Sequence, residues 1–164
     1  MPADSALRTD VLEEVARLLR ATLVSEYVDA VYDYELLGLD DTTAIEVIDA
    51  GTKSQPLGIS DARWDNWFAF EINAYVKVAN THSDEQGGSN WTSKDVGNRL
   101  ALIDKKIRDV IADNRSNPGK WTYFTLADDF SVIVEGRQKI FERDTELTNY
   151  KIESRVALVR YVEG

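Results

Sequence analysis

The one histidine, His82, lies in the run Thr81-His82-Ser83-Asp84. Written out, those residue types suggest a Ser–His–Asp nucleophile. Triads, however, join side chains from separate elements of a pocket, and a polar loop does not hold them in register. The run therefore reads as a solvated loop. The chain has no cysteine, which removes disulfides, thiol nucleophiles, zinc fingers and iron–sulfur clusters. A metal would have to be held by carboxylates alone. Asp40-Asp41, Asp84-Glu85 and Asp128-Asp129 lack the spacing and the glycine of a calcium loop, and each reads as a turn or a solvated face. Paired carboxylates also hydrolyse glycosides, but among 29 acids a pair occurs anywhere and singles out nothing. No GxxxxGK[ST], GxGxxG or GxSxG run is present. Asn90-Trp91-Thr92 and Asn114-Arg115-Ser116 match the glycosylation acceptor pattern; without a signal peptide, both read as chance. The expectation is a protein that is not an enzyme and needs no cofactor.

The four tryptophans, Trp64, Trp67, Trp91 and Trp121, have the chemistry to stack on bases or sugars. Nucleic-acid binding would need interleaved cations, and these are scarce. The net charge is −10, and residues 1–50 hold 12 acids against 3 bases. Between Glu26 and Asp49 there are 8 acids and no base. A surface of this kind repels phosphate. Glu26, Asp29, Asp33, Glu35, Asp40 and Asp41 form the candidate acidic face, whose plain alternative is a solvated connection. The excess of Asp over Glu and of Arg over Lys fits a high-salt host, where charge is screened, and fits an ordinary acidic protein equally. Packing in a core or a subunit interface is the better use for the aromatics.

The elements that must carry these residues follow from periodicity. Asp4 or Ser5 caps a first helix, with Leu7, Val11, Leu12, Val15, Leu18 and Leu19 at helical spacing and an end between Leu19 and Tyr27. Residues 26–43 read as a partly ordered acidic connection. Thr43–Asp49 reads as a strand and Gly51–Gly58 as a loop. Trp64–Ala79 is the clearest strand: Phe68, Phe70, Ile72, Ala74, Val76 and Val78 share one face, and Glu71, Asn73 and Lys77 share the other with Trp67 and Tyr75. Residues 80–91 are polar and read as a long, mobile surface loop. A second helix opens near Thr92 or Ser93, with Val96, Leu100, Ile103, Ile107 and Val110 as one apolar stripe. Trp121–Leu126, Phe130–Glu135 (continued by Arg137–Glu142 after a bulge) and Tyr150–Val162 are the last strand candidates. In the final one Ile152, Val156, Leu158 and Val162 share a face.

This order predicts one α+β domain over residues 1–164: an antiparallel sheet of four to five strands with two helices packed on one face. No apolar run approaches the ~18 residues of a membrane span, and the N-terminus lacks a signal-peptide pattern, so the expectation is assembly in a cytoplasm.

The element order, with the closing runs Gly136-Arg137-Gln138-Lys139-Ile140-Phe141-Glu142 and Tyr150–Tyr161, resembles the tail terminator proteins of long-tailed phages and archaeal tailed viruses. The resemblance covers nearly the whole chain as order and size, with no motif from which a functional residue carries over. It implies a structural virion protein of the tail and neck, assembled in the host cytoplasm. Its partners would be further copies of itself in a hexameric ring, the tail tube protein and the head–tail connector protein. DNA would pass through without specific binding, which an acidic lumen favours. No membrane is implied. Trp91, His82, Asp84, Trp64 and Tyr161 are the candidate partner contacts, the first three on the 80–91 loop. Other expectations are a different neck or tail component, such as a connector or tube-associated protein, and a small carboxylate-dependent hydrolase or ligand-binding domain with a concave pocket.

Overall fold

The computed structural model describes residues 8–36, 39, 41–58, 63–77, 93–116, 121–127 and 150–163. Helix α1 spans Arg8–Leu23, β1 Ala30–Tyr32, β2 Thr43–Pro56, β3 Trp64–Lys77, α2 Ser93–Asp113, β4 Tyr123–Leu126 and β5 Tyr150–Glu163. The strands form one five-stranded sheet in the order β1-β2-β3-β5-β4. The chain is thus an α+β fold, with three antiparallel pairings and one parallel pairing, β1 on β2.

Helix α1 forms because Val11, Val15, Ala16, Leu19 and Leu23 recur on one side, and all five are buried. The chain leaves the helix at Ser25, whose φ of 73° lies in the left-handed region that ends many helices. Helix α2 buries the whole predicted stripe of Val96, Leu100, Ile103, Ile107 and Val110, with Ile111 beside it. These residues share one core cluster with Ile45 and Val47 of β2, Phe68, Phe70, Ile72, Ala74 and Val76 of β3, Phe124 of β4, and Ala157 and Val159 of β5. Both helices therefore cover the same face of the sheet.

Two segments differ from the sequence reading. The acidic connection contains β1, which pairs Ala30 with Ala44 and Tyr32 with Glu46. Three residues are too few to show a period of two, and Val31 is the one that reaches the core. The expected loop Gly51–Gly58 is instead strand as far as Pro56. The ladder shifts between Asp49 and Gly51, then pairs Thr52 with Phe68 and continues to Pro56 opposite Trp64. Gly51 sits at φ 126°, a conformation that a side chain makes costly, so the glycine marks a bulge within the strand. On β5 the sequence pattern named one face, but Ala157, Leu158 and Val159 are all buried. Ala157 and Val159, paired with Phe70 and Phe68, face the helices, so the core side is the one the pattern did not name.

The candidate cap Asp4 or Ser5, the loop 80–91 and the strand candidates Phe130–Glu135 and Arg137–Glu142 lie outside the described residues.

Candidate functional site

The acidic connection is bound into the fold by its own carboxylates. Asp29 lies between α1 and β1, and its Oδ2 accepts the backbone N–H groups of Thr42 and Thr43, both at 3.1 Å. Its own N–H reaches the Thr43 carbonyl at 3.0 Å. Asp41 accepts the Tyr32 hydroxyl at 2.6 Å. Arg20 of α1 donates to the Val31 carbonyl at 2.8 Å, and Arg99 of α2 to the Tyr27 carbonyl at 2.7 Å. Lys106 lies over the Tyr27 ring, 5.2 Å from its centroid. The segment has no base in sequence, yet three cations reach it from the two helices. Glu26 and Glu35 are exposed and Asp33 half-buried. Tyr34, between Asp33 and Glu35, is 58% exposed and meets Tyr32 edge-on.

The sheet face away from the helices carries a buried polar network that the sequence reading missed. Glu46 is fully buried. Its Oε1 accepts Asn73 Nδ2 at 2.9 Å and the Tyr75 hydroxyl at 2.8 Å, and its Oε2 accepts the Leu36 N–H at 2.6 Å. Ser154 of β5 extends the network by donating to Asn73 Oδ1 at 2.5 Å. Cross-strand pairing of Glu46 with Asn73, and of Asn73 with Ser154, brings them together. Glu71 and Lys77 are also buried on this face. Leu36 and Leu39 close over it against Ala44 and Tyr75, flanked by Tyr32, Tyr150 and Ile152. The available signal was Trp67 and Tyr75 in register with Glu71, Asn73 and Lys77, since two large aromatics seldom share a fully wet face.

Ion pairs also join separate elements. Asp104 of α2 accepts Arg155 of β5 at 2.5 and 2.7 Å, and Arg108 approaches it at 3.5 Å. The hydrogen bond to Asp104 holds the Arg155 guanidinium above its ordinary range. Glu153 nearby is pushed up, first by burial and then by the Asp104 charge. On the opposite face Asp65 accepts Arg160 at 2.9 and 3.1 Å, and the guanidinium stacks over Trp67, 5.5 Å from the ring centroid. The Arg160 hydrogen bond holds the Asp65 carboxyl below the usual range against the opposing effect of burial.

Past the bulge, β2 and β3 run together with the end of β5 as a ribbon. Residues 52–58 are all exposed, with Leu57 at 40% and Trp64 at 44%. Of the sequence-predicted partner contacts, Trp64 is therefore on this ribbon, at the surface. Tyr161 is on the same ribbon but partly buried against the main core. Trp64 pairs with Glu163 and Tyr161 with Asn66, which puts the two aromatics at diagonal positions. Trp91, His82, Asp84 and Asp40 lie outside the described residues.

Among the described residues no group of three or more His, Asp or Glu is placed to hold a metal ion. None of the described helices is long and apolar enough to cross a membrane. No family model matches the chain, and no curated protein matches it.

Proposed function

We propose that the chain is a structural virion protein, a tail-terminator-like subunit that forms a ring, caps the tail tube and joins it to the head–tail connector. The observation that carries this reading is the contrast between the two ends of β2. One end is flanked by the acidic connection, tied there by Asp29. The other is a ribbon with exposed Leu57 and Trp64. Two unlike surfaces on opposite ends of a subunit are what a closed head-to-tail ring requires. The polar groups of the back face support a building-block role: Glu46, the most buried of its carboxylates, is engaged by three donors and holds strands together.

The partners under this reading are further copies of the chain, a tube protein and a connector protein, and DNA that passes without being gripped. The test is the mass of the purified protein by light scattering, with negative-stain imaging, from low to molar KCl. Rings with a central opening are expected, along with no retention of duplex DNA at physiological salt. A protein that stays monomeric at every salt concentration and at high protein concentration would overturn the reading. So would tight DNA binding.

A further inference from the structure

Strand pairing assembles an alternation of cations and aromatics that does not run along the chain. Lys53 of β2 lies opposite Trp67 of β3, Trp67 opposite Arg160 of β5, and Arg160 opposite Tyr123 of β4. Residues directly opposite in a ladder share a face, so the four form one row on the sheet face away from the helices. Arg115, just past α2, completes it: its guanidinium lies over the Tyr123 ring, 5.3 Å from the centroid. The order across the sheet is cation, aromatic, cation, aromatic, cation. At about 4.8 Å per strand, Lys53 to Tyr123 spans about 14 Å. We infer that this row receives an extended acidic segment of a partner protein.

The row is pre-ordered and its charge is largely unspent. Asp65 accepts Arg160 through Nε and Nη2, and Trp67 and Gln55 also reach its carboxylate. That hub holds the guanidinium over Trp67, and leaves Nη1 over among the described residues. Arg115 makes one long bond, 3.4 Å, to the Thr125 hydroxyl, and Lys53 is exposed. Three cations against the one carboxylate of Asp65 give the row a net charge of +2 on a chain of −10. The neighbouring rows add no carboxylate among the described strand residues: Gln55 and Val162 flank Asp65, and Ala69, Leu158 and Thr125 lie on the other side. Groups already held in place lose little freedom on binding, and a guanidinium fork matches a carboxylate.

The arrangement favours a carboxylate-bearing peptide over a nucleic-acid strand. Bases stack on open aromatic faces, whereas Trp67 and Tyr123 each already carry a guanidinium. Three cations are also few for a phosphate backbone approaching a chain of −10. The Arg160 side chain, 36% exposed, can stack an aromatic of the incoming segment on its outer side. The segment belongs to another protein, because this chain's own acidic stretch is tied into the fold by β1, Asp29 and Asp41.

The test is fluorescence anisotropy with the full chain at low salt. The probes are a labelled hexapeptide of alternating glutamate and tyrosine, its lysine–tyrosine counterpart, and a labelled dT oligonucleotide. The acidic peptide should bind, and binding should weaken as salt rises. Lys53→Glu with Arg115→Glu reverses both ends of the row at exposed positions and should weaken binding at least about tenfold. Lys94→Glu with Lys151→Glu makes the same change in net charge at exposed positions elsewhere and should weaken it less than about twofold. Circular dichroism checks that each variant keeps the parent fold. Four outcomes would each overturn the inference: no binding of the acidic peptide by the parent, equal binding of the lysine counterpart, equal weakening by the two double variants, or tighter binding of the oligonucleotide than of the acidic peptide. The ring reading is tested separately, by assembly.

Discussion

The two faces of the sheet are built on different principles. The helix-covered face is apolar from Val31 through Ile45, Val47, Phe70 and Ile72 to Val159, and packing dominates it, with the Asp104–Arg155 pair tying α2 to β5. The opposite face buries Glu46, Asp65, Glu71, Asn73 and Lys77, and the hydrogen bonds resolved there tie neighbouring strands to one another. A buried apolar face tolerates approximate partners, whereas a buried carboxylate needs each donor in place. The first face should therefore lose stability in proportion to volume removed, and the second in proportion to donors left unmatched.

The largest expected effect is on the packed face. Ile103 is fully buried at the centre of the α2 stripe. Ile103→Ala should cost about 3–5 kcal/mol in denaturant unfolding, from lost transfer energy and the cavity left behind. A loss below about 0.5 kcal/mol would show that α2 does not seal this face, and the contrast between the faces would fail.

The next effect tests the polar face. Glu46→Gln keeps the volume but turns an acceptor into an amide. If the amide oxygen keeps Asn73 and Tyr75, its NH₂ group meets the Leu36 N–H, donor against donor. The expected cost is about 2–3 kcal/mol, the penalty of leaving a buried group unmatched. Leu36 amide exchange should accelerate with it. Unchanged stability would mean that the network is incidental and that the back face, too, is held by packing.

This contrast also explains what could be read from sequence. Phe68 to Val76 at every second position, and Val96 to Val110 at helical steps, state which way they face, because burial of apolar groups imposes a period. Glu71, Asn73 and Lys77 share the period of β3, and a polar residue in alternation reads as solvent-facing. Burial on this face comes from Leu36 and Leu39 folding over Ala44 and Tyr75 from another segment, and from partners such as Ser154, 81 residues away from Asn73. No local pattern encodes that. β1 escaped for a related reason: its pairing is with a strand whose start is fixed by Asp29, through hydrogen bonds that leave no trace in spacing. Of the candidate contacts, Trp64 was placed by its position at the start of a strong strand. The ribbon around it was missed, because Gly51 and Pro56 read as loop residues when they are a bulge and an edge proline.

A smaller effect comes from the ion pair on the ribbon. Asp65 is held below its ordinary range chiefly by Arg160, so its charged form is favoured in the folded state. The resulting stability is present above the unfolded carboxylate range, near pH ~4, and is lost as pH falls through the folded value. Arg160 is more than a third exposed, which screens the pair. Asp65→Asn should cost about 1–2 kcal/mol at neutral pH and flatten the acid limb of the stability profile. An acid limb identical to that of the parent would place its origin elsewhere.

The smallest effect concerns salt, and it turns on what the helical layer lends to the acidic connection. Taken as sequence, residues 26–49 should repel one another strongly. In the fold Asp29 and Asp41 accept hydrogen bonds from the chain itself. Asp49 pairs with Arg8 at 2.9 Å. Arg20, Arg99 and Lys106 add positive charge from α1 and α2. Raising KCl screens the remaining repulsion among Glu26, Asp33 and Glu35, and also screens these attractions. The net gain in stability from low to molar KCl should therefore be small, about 0.5 kcal/mol. Arg99→Met separates the two contributions. It removes one cation and its bond to the Tyr27 carbonyl while keeping much of the side-chain bulk. The variant should be less stable at low salt, and its gain on adding KCl should exceed that of the parent, because more repulsion is left to screen. Equal salt gains in variant and parent would show that the helices shape the acidic end by packing, without neutralising it.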